Sequence, residues 1–272
     1  MNSIDLEYAK KSFREYLTAY DPEDEKIKLK RVHTFCVVEA ADYICRKEKL
    51  SEEDRELALL IALLHDIGRF EQLKVFHSYD DSKLDHALFG VKVLFEDNLI
   101  RNFIIADQYD EIIRQAIKWH SCYELPRIDD ERTLLHCRLI RDADKLDNFR
   151  VKATETLEVH FDVSKEEVQK EAVSPNILEA VRDHRCILRG ERVTHLDMWV
   201  SYLAFIFDLN FPSSFRYIQE HDYINHNIDR MDYQQEKTKE NMEEIRRICN
   251  AYVMEKADKC DGTFPEIQCI FC

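Results

Sequence analysis

The residues of this sequence with the clearest capacity for chemistry are a histidine and an aspartate in direct succession, His65-Asp66. The residues before them recur at helical spacing and predict a core helix: Leu57, Leu60, Ile61 and Leu64. Two ionisable groups at the inner end of such a helix are costly unless something binds them. A divalent metal ion is the simplest binding partner, since one cation binds an imidazole nitrogen and a carboxylate oxygen together. A helix end at the surface would explain the pair without a metal. A metal site therefore requires further ligand residues elsewhere in the chain.

Candidate partners lie on the inward faces or at the ends of other predicted helices: His33, His86, His120 and Asp144. The helix predicted over residues 25–47 places His33 on one face with apolar residues. A histidine on such a face is commonly a hydrogen-bonded core residue, and the ligand interpretation gains weight only because the other groups accompany it. His86 follows the capping pattern of Ser82 and Asp85, where a neutral imidazole suits the helix N-terminus better than an imidazolium does.

Two further histidines are weaker candidates, namely His77 and His136. Gly68 is expected to end the helix that carries His65-Asp66, at a position with positive φ. The less periodic residues that follow, up to Asp81, predict a loop that covers a site.

A helix that begins after Asp130 contains several acidic residues. Asp144 shares a face with Cys137 and Ile140, which places it on the inward side. Asp142 and Asp147 are expected to face solvent or to pair with nearby basic residues, Arg141 and Lys145, because such charge runs are usually solvated.

The composition favours an all-α fold. The 272 residues include only four glycines and five prolines, too few for the tight turns of a sheet protein. We expect a single all-helical domain over residues 1–272, with a metal-binding core at 25–150 and a C-terminal helical extension at 151–272. Residues 197–209 predict a core helix, and the amphipathic segment 234–256 is suited to a peripheral helix or to the contact of a homodimer.

Charge and targeting signals exclude several classes of function. The formal net charge of −15 argues against binding a nucleic acid polymer, which depends on many Lys and Arg contacts to phosphate. No apolar run is long enough to span a membrane and residues 1–10 lack a secretory signal, so we expect a cytoplasmic location. The nine scattered cysteines predict free thiols, and zinc binding by the C-terminal ones is the weaker alternative: Cys260, Cys269 and Cys272.

Two phrases, HDIGRFEQ at residue 65 and RDADKLDNF at residue 141, resemble signatures of the HD superfamily of metal-dependent phosphohydrolases. The resemblance covers about residues 25–150, and residues 174–230 are similar to the C-terminal helices of uncharacterised bacterial HD proteins. It implies an HD-domain helical bundle. It also implies a first metal ion held by His33, His65, Asp66 and Asp144, and a second one held by His86 and His120 with Asp66 as the bridge.

The resemblance implies hydrolysis of a phosphorylated, nucleotide-like small molecule by water that one or two divalent ions activate. Imidazole and carboxylate donors suit Fe, Mn, Co, Ni or Zn better than Mg. Arg69 stands where related members carry lysine and could donate to a substrate phosphate, and Lys145 is a second candidate for that role. Asp66, Arg69 and Lys145 are therefore the candidate catalytic residues.

Departures from the family's patterns leave alternatives open. A GYP signature is missing, which disfavours a cyclic-dinucleotide phosphodiesterase. Mononuclear deoxynucleotidases carry glutamate where this chain has Arg69, and Glu71 is out of register. The same ligand order also serves diiron oxygenases that act on a polyol or phosphonate. A nucleotide sensor without turnover is a third reading, although the full ligand set argues against it.

Overall fold

The computed structural model describes residues 4–79, 81, 84–157 and 163–258. Every regular element in this part of the chain is a helix and none is a strand, which confirms the all-α prediction. Within the same residues no helix combines the length and apolar character needed to cross a bilayer.

The helices that build the site come first in the chain. Their bounds are α1 Leu6–Leu17, α2 Glu25–Lys47, α3 Glu52–Leu64, α4 Ile67–Phe76, α5 His86–Val91, α6 Asp110–Trp119 and α7 Glu131–Thr154. A π-helical turn continues α5 over Lys92–Glu96, and a 3₁₀ turn follows at Leu99–Asn102. Helix α7 runs without interruption across residue 150.

The remaining helices follow α7 and cover one side of the bundle. They are α8 Lys165–Val168, α9 Pro175–Arg182, α10 His195–Leu203, α11 Pro212–Glu220, α12 Tyr223–Asp229 and α13 Glu236–Ala257, with 3₁₀ turns at Arg189–Glu191 and Ala204–Asp208. A continuous cluster of buried apolar side chains extends from Ile4 to Ala257 and joins these helices to the earlier ones.

Polar side chains fix where the central helices begin. The Asp24 carboxylate accepts the first free N–H groups of α2, and Ser51 and Asp130 do the same for α3 and α7. Helix α2 packs against α3 and α7, and α6 packs against α7. The apolar stripe of each of these helices therefore faces a shared core.

Gly68 does not end a helix, which corrects the sequence prediction. Helix α3 ends at Leu64, and Gly68 lies inside α4 with an ordinary helical φ. A Cβ atom built on Gly68 would lie 2.3 Å from the carbonyl oxygen of His86 and 2.5 Å from the amide nitrogen of Gly90. The glycine is needed because the backbones of α4 and α5 approach each other closely.

The loop predicted up to Asp81 is wrong in its first part, because α4 remains helical to Phe76. Ile67, Phe70 and Leu73 are all buried and recur at a spacing of three, a helical period that the sequence already contained. The segment that covers the site is therefore shorter and begins at His77, which has a left-handed backbone.

The cysteines of the described residues form no disulfide: Cys36, Cys45, Cys122, Cys137, Cys186 and Cys249 are all free thiols. Cys260, Cys269 and Cys272 lie outside the described residues, as does Ser82. Asp85 caps α5 through its carboxylate, which accepts from the amides of Ala87 and Leu88.

The close approach at Gly68 can be tested by Gly68→Ala. The added methyl group meets backbone atoms that cannot turn aside, so we expect a loss of about 1–3 kcal/mol in the free energy of unfolding. Gly190→Ala is the matched control, because its Cβ would have no atom within 4 Å. Denaturant unfolding measures both variants, and equal stability of the two would contradict this role of Gly68.

Candidate metal centre

Six residues from six consecutive helices meet in one place. They lie on α2 (His33), after the end of α3 (His65), before α4 (Asp66), at the start of α5 (His86), after α6 (His120) and on α7 (Asp144). All are at most 3% exposed except Asp144, which is half-buried. The helix ends, rather than loops, thus place most of these side chains.

His33, His65 and Asp144 form a first group, whose ligand atoms all lie within 4.8 Å of one another. Nε2 of His33 is 3.1 Å from Oδ1 of Asp144, and Nε2 of His65 is 3.9 Å from the same oxygen. Two imidazole nitrogens and a carboxylate oxygen converge there, which is a donor set for a transition metal ion.

Asp66, His86 and His120 form a second group of the same kind. Nε2 of His86 lies 3.1 Å from Nε2 of His120, and the Asp66 Oδ1 atom is 3.4 Å and 3.7 Å from these two nitrogens. This group contains more nitrogen than oxygen and is completely buried.

Asp66 also faces the first group with its other oxygen. Oδ2 is 3.7 Å from Nε2 of His33 and 3.7 Å from Nε2 of His65. One carboxylate therefore presents one oxygen to each group, which is the arrangement of a carboxylate that bridges two metal ions.

The Nδ1 atoms of the four histidines are all bound by the protein. His65 and His120, each at a helix end, donate to the carbonyl oxygens of Ala62 and Ile117, 2.7 Å away in both cases. Such hydrogen bonds fix the tautomer of each ring and direct its Nε2 lone pair towards the centre of the site.

Carboxylate oxygens bind the Nδ1 atoms of the other two histidines. Nδ1 of His33 is 2.6 Å from Oδ2 of Asp147, and Nδ1 of His86 is 2.7 Å from Oδ1 of Asp81. Asp147 is 3% exposed and also binds Arg150, so the expectation that it faces solvent is wrong. A spacing of three residues after Asp144 puts it on the same side of α7, a signal that the sequence did contain.

Asp142 is also buried rather than exposed. Its carboxylate accepts from the amides of Asn210 and Phe211 and from the hydroxyl of Ser214, and so holds the start of α11. The sequence prediction failed here because the partners lie almost 70 residues further along the chain.

The protonation states suit metal binding. Burial lowers the pKa of His65 and of His86 to about 4 each, with the charge of Arg69 contributing at His86. Burial opposes ionisation of Asp66, but Lys30 and the surrounding histidines more than offset it, and the pKa of Asp66 lies well below its usual value. At neutral pH these side chains offer neutral nitrogens and an anionic oxygen.

Buried lone pairs test whether a metal ion fits. Nε2 of His65 is buried and has no hydrogen-bond partner among the described residues. Since Nδ1 of both His86 and His120 donates, their Nε2 lone pairs face each other at 3.1 Å. Nη2 of Arg69 lies 3.0 Å from Nε2 of His86 and meets one of these lone pairs, and a metal ion between the two rings would meet both. The residues therefore fit a metal centre of one or two ions.

A cleft of about 470 Å³ opens onto this centre. Lys30 lines it with Nζ 2.6 Å from Oδ2 of Asp66, and Arg69 lines it with Nη2 3.0 Å from Nε2 of His86. Tyr79 lies beside both cations, with its ring centroid within 6 Å of each. Lys30 was missed in the sequence, although it precedes His33 by one turn of α2.

Lys145 does not line this cleft. Its ammonium group is 2.8 Å from Oδ2 of Asp208, a carboxylate that Arg141 also binds. Arg141 in turn donates to the carbonyl oxygens of Trp119 and Cys122, on either side of the His120 backbone. These two cations of α7 therefore hold the segment around His120, and Arg69 and Lys30 are the cations next to the ligands.

The two weaker histidine candidates lie outside the centre. His136 is buried, with Nε2 3.3 Å from Oδ1 of Asp54. His77 is exposed, and its ring is 4.0 Å from Asp24.

Comparison with known proteins gives one match. Residues 32–149 match the family model of the HD domain. These residues contain all six members of the centre. No curated protein and no solved structure matches the chain.

Asp147→Asn tests the support of His33. The change leaves every proposed ligand in place but weakens the acceptor at Nδ1, so metal affinity should fall about 10- to 100-fold while full occupancy returns at high metal concentration. Arg150→Met is the matched control, because it removes the ion pairs with Asp147 and Glu155 but leaves the contact between Asp147 and His33. A competition titration with a chelator measures both, and equal losses in the two variants would contradict the role of the His33 contact.

Proposed function

The chain contains an HD domain at residues 32–149, and on this premise we propose that it is a metal-dependent phosphohydrolase that cleaves a phosphate ester or anhydride of a small nucleotide-like molecule. Members of this family are in general metal-dependent hydrolases. The observation that carries the proposal is the position of Asp66, with one oxygen towards each of two histidine groups.

Two neighbouring cations suit phosphoryl transfer because they can offset charge on both the attacking and the leaving oxygen. The donors are nitrogen and oxygen without thiolate, so we propose Fe, Mn, Co, Ni or Zn as the native metal, with Mg less suited. His33, His65 and Asp144 would hold one ion, His86 and His120 the other, and Asp66 would bind both.

The charge distribution supports an anionic substrate. The chain carries a formal net charge of −15, yet the cleft is lined by three carboxylates, those of Asp66, Asp81 and Asp144, and by six basic side chains: Lys26, Lys30, Arg69, Lys152, Arg189 and Arg192. A concentration of positive charge in one cleft of an acidic protein attracts a small anion and leaves the rest of the surface unsuited to a nucleic acid polymer. The volume of about 470 Å³ lies within the range of small-molecule sites.

Bound metal would supply Lewis acidity and lower the pKa of water so that attack on phosphorus proceeds at neutral pH. Arg69 and Lys30 can donate to the non-bridging phosphoryl oxygens, whose charge they offset. Gln72 and Asp81 hold the guanidinium group of Arg69, which limits its freedom before the substrate arrives. Tyr79 packs beside the two cations, with its ring within 6 Å of each.

The first test of the proposal is removal of a ligand. His65→Ala and Asp66→Ala should lose bound metal and phosphate release, by more than the 10- to 100-fold typical of an indirect partner. His77→Ala, which changes an exposed histidine, should leave both unchanged. Elemental analysis and a phosphate assay over a panel of nucleotides measure the two quantities. Full turnover by Asp66→Ala would contradict the proposal.

The number of metal ions can be tested separately with His120→Ala. This change removes one nitrogen from the second group only, so one metal equivalent per chain should be lost while the other remains. His136→Ala is the matched control, since it removes another buried histidine that lies outside the centre. An unchanged metal count in His120→Ala would rule out the second site.

The role of oxygen separates hydrolysis from the oxygenase alternative. Phosphate release by a hydrolase needs no electron acceptor, so the rate should be the same with O₂ and under its strict exclusion. Activity that requires both iron and O₂, with a polyol or phosphonate as substrate, would contradict the phosphohydrolase proposal.

A further inference from the structure

Part of the cleft wall comes from residues that follow the HD-domain match. Lys152, Arg189, Arg192 and Tyr202 all line the cleft, and all lie beyond residue 149. Their chemistry therefore belongs to the C-terminal part of this chain and not to the matched domain.

Lys152 is a cation in a costly position. It is only 4% exposed, and its ammonium nitrogen lies 4.1 Å from the centroid of the Tyr202 ring. Burial and the charge of Lys30 lower the pKa of Lys152 to about 7. The charges of Asp147 and Asp144 oppose this lowering, and an anion bound in the cleft would stabilise the buried ammonium group further.

Arg192 lines the same cleft as Lys152. It is half-buried, its Nε donates to the carbonyl oxygen of Arg189 at 3.3 Å, and its Nη1 lies 3.4 Å from the hydroxyl of Ser201. No carboxylate of the described residues forms an ion pair with it. Burial raises the pKa of Tyr202, and the charge of Arg192 opposes that rise.

The cleft is much larger than the space that a single phosphate group fills. A volume of about 470 Å³ is roughly sixteen times the 30 Å³ that one water molecule takes in the liquid. A single phosphate at the metal centre, with Arg69 and Lys30 beside it, fills only a small share of that space. Met198 and Phe205 line the rest and offer an apolar surface to the body of an organic molecule.

We propose that Lys152 and Arg192, with Arg189 at the rim, bind a second anionic group of the substrate, either a phosphate or a carboxylate. The substrate class is thus an organic molecule with two separate anionic groups, one hydrolysed at the metal centre and one held by the C-terminal wall. This inference rests on the proposed function only for the position of the first group.

Calorimetric titration of the metal-loaded protein tests the second group without requiring turnover. The probes are phenyl phosphate and adenosine 5′-monophosphate with one anionic group, adenosine 3′,5′-bisphosphate with two phosphates, and 3-phosphoglycerate with a phosphate and a carboxylate. We expect at least one two-anion probe to bind about tenfold or more tightly than either single-anion probe, as one charge-assisted hydrogen bond allows. Which of the two does so identifies the second group.

The variants Arg192→Gln and Lys152→Met should each bring this affinity ratio close to one. Lys152→Met removes a buried charge without leaving a cavity, so loss of folding would not obscure the result. Arg127→Gln is the matched control, because Arg127 is an exposed arginine paired with Asp129, and it should keep the ratio.

Equal affinity for single-anion and two-anion probes would overturn the inference, and so would variants that keep the ratio. The two proposals fail independently. A ratio that depends on Arg192 in a protein without phosphate release would remove the hydrolase function and keep the second anionic group. Hydrolysis of phenyl phosphate with a ratio near one would do the reverse.

Discussion

The structure depends on one buried carboxylate, that of Asp66, which faces two groups of imidazole nitrogens. Burial alone would drive this group to its neutral form, and the cations and histidines around it keep it ionised. The carboxylate and the four rings are all at most 3% exposed, so water cannot solvate them in place of a ligand. Such a cluster is stable when a metal ion compensates the desolvated charge and lone pairs.

A layer of outer contacts keeps these donors aimed at one point. Carbonyl oxygens at the ends of α3 and α6 hold two rings, and Asp81 and Asp147 hold the other two. The C-terminal part of the chain supports the same region. Asp208 binds Arg141 and Lys145 of α7, and Asp142 accepts a hydrogen bond from the backbone at the start of α11. Residues beyond the matched domain thus both brace the centre and complete the cleft.

The sequence predicted the parts of the fold that depend on local patterns. Apolar periodicity located α2 to its end residues, and it placed His33 and Asp144 on inward faces. Resemblance to a known family added the full set of six, which the structure brings together in two groups. What the sequence did not predict depends on distant neighbours. Gly68 is required because the backbone of α5 lies against it. Asp142 is buried because it accepts hydrogen bonds from amides almost 70 residues further along the chain.

The cleft was the least predictable part for the same reason. Arg189 and Arg192 occupy a short 3₁₀ turn and the residue after it, with no periodic pattern that would point them to a site. Their significance comes from their place in the wall of the cleft, which only the folded chain shows. Lys30 and Asp147 differ, since each lies one helical turn from a recognised ligand and could have been found by that spacing.

Anomalous diffraction from crystals of the metal-loaded protein, recorded at the absorption edges of the transition metals, locates the bound ions. We expect two peaks per chain, one among His33, His65 and Asp144 and one between His86 and His120, with an oxygen of Asp66 in contact with each. Metal that binds only outside these two groups, or that binds without contacting Asp66, would contradict the proposed role of this carboxylate.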